Sequence, residues 1–237
     1  NRIAIHIIKY MKKLLLSITL ILLLSSENNA HVDHYSKYNY LEYELFRNNK
    51  LIGYHKYRFN RESGNLKIDN EVSFKITKLG VDLYKYYAKG LETYENGVFS
   101  GFKSETNQNK KEKYVNISID PNDKNLIIDG SSYKGKADKN MIIGTWWNHE
   151  IVQKKAQISA VSGRIIEQKV EFIGKEEVKI GNKTYNTLRF NFSSSDPSLS
   201  KDKKLNTDIW YEEGTYLWIK AAFDKTGYWE YRLKKAE

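Results

Sequence analysis

The side chains best suited to chemistry lie together in one stretch, GTWWNHEI, at residues 144–151. It holds two tryptophans, an amide, an imidazole and a carboxylate. The pair His149 and Glu150 matches the start of the HExxH motif, in which two histidines one helical turn apart bind zinc. Gln153 stands where the second histidine would be, so the chelate is lost. The stretch therefore predicts no metal and no catalytic residue.

His55 is the second candidate for chemistry. It alternates with Gly53, Tyr57 and Phe59 in LIGYHKYRF, so it shares a strand face with two aromatic rings. Such a histidine is most often a core or rim residue. The chain also lacks a G-x-S-x-G elbow, a glycine-rich phosphate loop, a dinucleotide fingerprint and any cysteine nucleophile, so we predict no cofactor and no enzyme.

The segment HVDH at residues 31–34 is a third candidate. If a leader is cleaved after Ala30, the new α-amine and imidazole of His31, with Asp33 and His34, form a set that can bind copper or nickel. The plainer interpretation is a solvated, frayed terminus, where metal binding would be incidental.

A leader precedes that segment. Residues 11–30, MKKLLLSITLILLLSSENNA, have a short cationic start and an apolar core too short to span a membrane, which is typical of a cleaved signal peptide. We then expect Met11 to be the true start, with residues 1–10 an upstream extension, and residues 31–237 to form one β domain. With no cysteine there is no lipidated cysteine and no disulfide, so we expect an exported, soluble protein of the periplasm or extracellular space that is not a lipoprotein.

The charge balance is basic. The chain has 39 Lys and Arg against 29 Asp and Glu, and without the first 30 residues 35 against 28 remain, an excess of +7. No basic run is interleaved with stacking aromatics, so we predict no nucleic acid partner. Peripheral contact with anionic phospholipid is one use of this charge, and a solvated lysine-rich surface is the plainer one.

Period-two alternation dominates from residue 36 onward. In LKIDNEVSFKI, residues Ile68, Val72, Phe74 and Ile76 fall on one face, and the alternation recurs at 38–46, 112–119, 184–192 and 216–223. Turn signals separate these segments, the clearest being the Asn96–Gly97 type I′ hairpin. We predict an all-β, mainly antiparallel meander of about eleven strands, curved into a barrel or half barrel.

Two segments depart from this pattern. Residues 193–204, SSSDPSLSKDKK, predict a long loop. Ile143, Trp147 and Ile151 recur every four residues, which predicts a short helix or turn. It would act as a lid, with its apolar row on the sheet and Asn148, His149 and Glu150 at its polar rim.

Aromatic residues are abundant, with 18 Tyr, 9 Phe and 5 Trp. Several strands are apolar on both faces, so they need a second layer or a ligand as well as ordinary cross-strand packing. This pattern favours an aromatic-lined cavity. The ligand-binding candidates are Trp146, Trp147, His149, Ile143, Tyr84, Tyr86, His55, Trp210, Trp218 and Trp229.

Five segments resemble an exported bacterial family classed only as a domain of unknown function. They are FRNNKLIGYHKYRF, LETYENGVFSGFKSET, TWWN, SGRIIEQKVEFIGKEEVKIGNKTYNTLRF and DIWYEEGTYLWIKAAFDKTGYWEYRL, and the resemblance spans residues 40–233. The last segment is also distantly similar to the ends of periplasmic Lol-type lipoprotein carriers, whose half barrels shelter acyl chains. The resemblance implies fold and export and carries no catalytic residues.

Three functions follow as hypotheses. The first is a non-catalytic domain that binds a lipidic or amphiphilic molecule in an aromatic-lined cavity. The second is an envelope structural or interaction protein with a packed core. The third is a hydrolase-type enzyme, which would need a polar cluster around His55, His149 and Glu150.

Overall fold

Fifteen strands of alternating inward and outward residues make up most of the part of the chain that the structure describes. The computed structural model describes residues 35–201 and 203–237, so the predicted leader and the HVDH segment lie outside the described residues. The first eight strands are β1 Tyr40–Arg47, β2 Lys50–Glu62, β3 Asn65–Lys78, β4 Val81–Glu95, β5 Val98–Gln108, β6 Lys111–Ile119, β7 Leu126–Gly130 and β8 Lys134–Ala137. The others are β9 Ile142–Ile143, β10 Ala156–Ile158, β11 Ile165–Ile180, β12 Lys183–Ser194, β13 Asn206–Glu212, β14 Trp218–Asp224 and β15 Tyr228–Ala236.

All fifteen strands belong to one sheet, in the order β8-β7-β6-β5-β4-β3-β2-β1-β15-β14-β13-β12-β11-β10-β9. Pairing is antiparallel except between β9 and β10. The sheet is not closed, since β8 and β9 end it without pairing with each other. The all-β prediction is confirmed, and the strand count exceeds the predicted eleven because β7 to β10 are too short to show alternation.

Tight turns set the register of the long hairpins. Both central residues have positive φ at Asn48–Asn49, Ser63–Gly64, Leu79–Gly80 and Asn96–Gly97. This is the type I′ geometry, whose twist matches that of the flanking strands. The predicted Asn96–Gly97 hairpin is confirmed, with Glu95 paired to Val98.

The sheet curls so that its two ends approach each other. Ile143 and Ile158, from β9 and β10, pack against Phe102, Val115 and Ile128 of the other half. The turn at residues 159–163 also accepts hydrogen bonds from the other half of the sheet. The Ser104 hydroxyl donates to the Ala160 carbonyl at 2.5 Å, and the Ser132 amide donates to the Ser162 carbonyl at 2.9 Å. The result is a barrel-like shape held by side chains and a loop.

The interior is filled largely by aromatic residues. Tyr43, Tyr57, Trp147 and Trp218 are all fully buried, and the Tyr43 and Trp218 rings stack at 4.0 Å between centroids. Among the described residues, no helix is long and apolar enough to cross a membrane.

The segment from Ile142 to Gln153 takes the turn form of the predicted short helix or turn. Only His149–Gln153 is helical, as one 3₁₀ turn capped by the Asn148 side chain. The period of four arises because Ile143, Trp147 and Ile151 are all buried, as predicted, while the chain between them runs through tight turns.

Candidate functional site

The GTWW segment forms a strained turn inside the barrel-like sheet. The Trp147 amide donates to the Thr145 carbonyl at 2.8 Å, closing a three-residue turn around Trp146, whose φ is 60°. A positive φ is rare for a bulky residue and costs on the order of 1–3 kcal/mol. Gly144 precedes it because a Cβ there would lie 2.0 Å from Oε1 of Gln157. Such strain persists only where the surroundings enforce it.

Tyrosine hydroxyls from opposite parts of the sheet hold the turn. Tyr57 of β2 donates to the Thr145 carbonyl, and Tyr211 of β13 donates to the Trp146 carbonyl at 2.8 Å. Both tyrosines are fully buried. The carbonyls of the turn are thus satisfied by the sheet, which fixes the position of the Trp146 side chain.

The Glu92 side chain, on β4, also hydrogen-bonds to this turn. Its carboxyl group accepts hydrogen bonds from Nε1 of Trp147 at 3.0 Å, from the Thr145 hydroxyl at 3.4 Å and from the Tyr94 hydroxyl at 2.5 Å. Glu92 is only 3% exposed. Burial raises the pKa of this carboxyl above its usual value, and the three donors oppose that shift in part.

Beside the turn lies a cavity of about 190 Å³. Its wall on the sheet is a row of cross-strand partners, in which His55 pairs with Val72, Val72 with Ala88, and Ala88 with Thr106. Small side chains in the middle of the row leave space between the larger groups at its ends. Gly90 of the adjacent row widens this space.

His55 is the polar group most clearly exposed to this cavity and least satisfied by the protein. It is 7% exposed to solvent, and neither ring nitrogen makes a hydrogen bond of normal geometry with any residue that the structure describes. Burial lowers the pKa of His55 to about 3, and the nearby Asn70 side chain opposes this shift only slightly. The imidazole is therefore neutral at pH 7, with one donor and one acceptor available.

Further groups complete the cavity wall. The Thr106 hydroxyl is buried and likewise has no hydrogen bond of normal geometry within residues 35–201 and 203–237. Trp146 closes the opposite side and meets Trp218 and Tyr231 edge to face at 5.5 and 5.6 Å. Burial raises the pKa of Tyr86, another lining residue, to about 12. The Thr106 hydroxyl does lie near the Tyr86 hydroxyl, as His55 lies near Asn70. The cavity thus combines aromatic walls with two buried polar groups that lack a hydrogen bond of normal geometry within the described part of the chain.

Three of the ten predicted ligand-binding residues line this cavity: His55, Tyr86 and Trp146. Trp218 lies directly behind Trp146. Trp147 and Ile143 are packed in two separate core clusters and do not line it.

The remaining predicted residues lie elsewhere. The rings of Tyr84 and Trp229 contact the ring of Phe74, with centroid distances of 6.0 and 5.2 Å. Phe74 is the next residue on the same face of β3 after Val72, which lines the cavity. Trp210 alternates with the core residues Ile209 and Tyr211, so it lies on the outer face of the sheet. There the side-chain cations of Arg189 and Lys220 lie over its ring.

The polar rim predicted for the GTWWNHEI segment is not at the surface. Asn148 and His149 are buried, and only Glu150 is partly exposed. The His149 ring stacks on Tyr216 at 4.4 Å and does not line the cavity. The polar cluster of His55, His149 and Glu150 that the enzyme hypothesis requires is therefore not assembled around the cavity.

Larger depressions are shallower and more polar. One of about 810 Å³ lies along the β2–β3 hairpin and is lined by exposed residues such as Arg58, Asn60, Arg61 and Lys67. Its groups are already hydrated or paired, and Asn60, for example, donates to Asp69 at 2.9 Å. The smaller cavity at His55 is the better site because its polar groups are buried.

Sequence patterns do not single out Glu92 or Thr106. In GLETY, alternation favours Leu91 as the inward residue, yet Glu92 and Tyr94 are buried and Leu91 is only partly so. The signal that could have found the cavity is the spacing of Ala88 and Gly90, two small residues on the face that also carries Tyr86.

Comparison with known proteins places the chain in a family. A family model described as a domain of unknown function, DUF6134, matches residues 43–234. The chain belongs to the DUF6134 family. The membership predicted for residues 40–233 is therefore confirmed.

A solved structure resembles the DUF6134 domain in fold. It is a beta-barrel-like protein of the domain of unknown function DUF1849 from Brucella abortus, with a TM-score of 0.56 and 13% sequence identity. The match covers 84% of this chain and 96% of that one. Among curated proteins, none matches the sequence. The similarity to Lol-type carriers stays a prediction, since neither comparison concerns such a protein.

Proposed function

We propose that this DUF6134 domain is an exported, non-catalytic module that binds a small amphiphilic molecule in the His55 cavity. The observation that supports it best is the buried, neutral imidazole of His55, whose two nitrogens make no hydrogen bond of normal geometry with the described residues although the Asn70 side chain lies nearby. Buried polar groups are nearly always hydrogen-bonded, so an orphaned pair in a cavity favours a ligand that supplies the missing bonds.

The volume limits what can bind. Apolar cavities of about 150 Å³ accept benzene, so 190 Å³ suits a portion of about the size of one ring. A whole acyl chain does not fit inside. The ligand class that this geometry favours is an uncharged ring or short branched group that carries a hydroxyl or amide, with the rest of the molecule outside.

The simplest probes are phenol and benzene. Both match the cavity in size, but only phenol can bond to His55. We expect phenol to bind at least about tenfold more tightly, since one buried hydrogen bond contributes about 1.5 kcal/mol. Titration followed by tryptophan fluorescence and by the NMR signal of the His55 ring measures this ratio. His55→Phe should bring the two affinities together, and equal binding by the wild-type protein would remove the support for the proposal.

Trp146 provides a second test. Trp146→Ala should weaken phenol binding by about tenfold, because it removes an aromatic wall of the cavity. Trp146→Phe retains a ring and is the matched control, and Trp210→Phe on the outer face should leave affinity unchanged. Calorimetry gives the affinities and urea unfolding the stabilities. If Trp146→Ala lowers only stability, the side chain is a packing element.

A structural or interaction role is the second candidate. The aromatic interior favours it, because Tyr43, Tyr57, Trp147 and Trp218 fill the volume that a carrier of long chains would leave open. Native mass spectrometry of gently purified protein separates the two. An adduct of several hundred daltons is expected for the binding module, and a clean apo mass with no phenol binding supports the packed structural protein.

A further inference from the structure

The β3–β4 hairpin extends beyond its pairing with both neighbouring strands. Pairing of β2 with β3 stops at Gly53 and Phe74, and pairing of β4 with β5 stops at Tyr86 and Gln108. Residues 75–85 then pair only with each other among the described strands. On the β5 side about four residues, at roughly 3.3 Å per residue, project about 13 Å past the last paired position. On the other side Lys50, Leu51 and Ile52 of β2 continue past Gly53 and line a groove with Lys75, Ile76 and Thr77.

The tip of this hairpin is apolar and exposed. Leu79 is 95% exposed, Val81 61% and Leu83 54%. Leu79 occupies a turn position with φ of 51°, which asparagine or glycine adopts more easily. A leucine here gains nothing from packing and adds backbone strain, so its side chain is better explained by a contact outside the molecule.

A basic groove lies at the base of the hairpin. It has a volume of about 480 Å³ and is lined by the cations Arg47, Lys50 and Lys75 together with the apolar Leu51, Ile52 and Ile76. Nε of Arg47 is buried without a hydrogen-bond partner in the described part of the chain. The Arg47 guanidinium donates to the Thr226 carbonyl and lies over the Trp229 ring. Neither Arg47 nor Lys50 forms an ion pair with a described carboxylate, so both positive charges are uncompensated by the described residues.

One acidic residue lies within this surface. Asp82 is held by the Thr77 hydroxyl at 2.8 Å and by Lys85 at 3.1 Å, with Lys75 at 4.0 Å. Thr77 and then Lys85 lower the pKa of Asp82 below its usual value. The carboxylate is thus offset by its neighbours, and exposed Lys78 adds further positive charge next to Leu79.

We propose that this hairpin tip docks on an anionic phospholipid bilayer. Leu79, Val81 and Leu83 enter the interface, and the groove of Arg47, Lys50 and Lys75 binds lipid phosphate. An exposed apolar tip beside a cationic groove fits a membrane surface, where interfacial segments enter to about 5–10 Å and each nearby lysine or arginine adds attraction. The proposal is independent of the His55 cavity.

Sedimentation with vesicles tests the proposal. The protein should co-sediment with vesicles of phosphatidylcholine and phosphatidylglycerol at three to one, and much less with phosphatidylcholine alone. Replacing Leu79, Val81 and Leu83 with serine should reduce binding by at least about tenfold. Lys50→Gln and Lys78→Gln should each reduce it by about fivefold, and added salt should weaken it.

Matched controls separate docking from general hydrophobicity. Val98→Ser removes a residue of similar exposure, 65%, at the opposite end of β4 and should leave binding unchanged. Leu79→Asn should raise Tm by about 2 °C, because asparagine tolerates the positive φ, and yet should weaken vesicle binding. If Leu79 had only a structural role, the substitution would not raise Tm while weakening vesicle binding.

Two results would overturn the proposal. One is equal sedimentation of the wild-type protein and the triple serine variant. All proteins in this comparison are prepared with the same N-terminus. The other is a wild-type dimer in lipid-free ultracentrifugation that the serine variant converts to a monomer, which would make the tip a contact between two copies of the chain.

Discussion

Replacing Glu92 with leucine is expected to lower the free energy of unfolding by about 3 kcal/mol or more. Nε1 of Trp147 and the hydroxyl of Tyr94 would lose their acceptor while remaining buried, and each unsatisfied buried donor costs about 1–3 kcal/mol. The loss is larger than that of a surface substitution, because the carboxyl group joins β4 to the strained turn at Trp146. Urea unfolding followed by fluorescence measures it.

Glu92→Gln is the matched variant. Glutamine retains the side-chain length and an oxygen acceptor for Trp147, without the cost of burying a charge. We expect stability close to that of the wild-type protein at pH 7. Leucine and glutamine variants of equal stability would contradict this account, since the hydrogen bonds would then contribute little.

The pH dependence of the glutamine variant adds a signed test. The folded-state pKa of Glu92 is raised, so above its unfolded pKa the native state retains a proton that the unfolded state has released. Wild-type stability therefore falls as pH rises from about 4.5 through the raised value. Glu92→Gln lacks this contribution, so its stability relative to wild type should increase over the same interval.

The sequence predicts most of the sheet, because alternation and turn chemistry are local. Positions 66–76 in β3 and the Asn96–Gly97 turn lie where the pattern places them. The open sheet with β1 between β2 and β15 is not predictable in this way, since it depends on contacts between distant parts of the chain. No local signal specifies which strand end remains unpaired.

The candidate site was only partly predictable. His55, Tyr86 and Trp146 are chemically conspicuous, and all three line the cavity. Of the short helix or turn expected around Trp147, the structure has the turn, because a buried row with a period of four also arises when tyrosine hydroxyls and a carboxyl group hold a loop inside a barrel-like sheet. That support comes from Tyr57, Tyr211 and Glu92, which are far apart in sequence.

The His55 imidazole should make the protein acid-sensitive. Its folded pKa is about 3 and its unfolded pKa about 6.5, so between these values the unfolded state binds a proton that the native state does not. Stability therefore decreases as pH falls from about 6.5 toward 3. At about 1.4 kcal/mol per pH unit, the loss attributable to His55 is about 3 kcal/mol by pH 4.

His55→Phe isolates this contribution. Phenylalanine has a ring of similar size, does not titrate and leaves no buried nitrogen unsatisfied, so the variant should already be about 1–2 kcal/mol more stable at pH 7.5. The difference should grow to about 4 kcal/mol at pH 4. Carboxylates such as Glu92 titrate in both proteins and cancel in the comparison.

The neighbours of His55 explain why a large effect is expected. Tyr57, Tyr43, Trp218 and Tyr231 surround it at ring distances of 4.4 to 6.3 Å, and no carboxylate contributes to its pKa shift. The Asn70 side chain favours an imidazolium, but the effect of burial is larger. Parallel pH–stability curves for the wild-type protein and His55→Phe, or an NMR titration of His55 near its ordinary pKa, would show that solvent reaches the ring and that the cavity does not isolate it. A stabilised variant that has lost phenol binding would mean that the imidazole is retained for a ligand at a cost in stability.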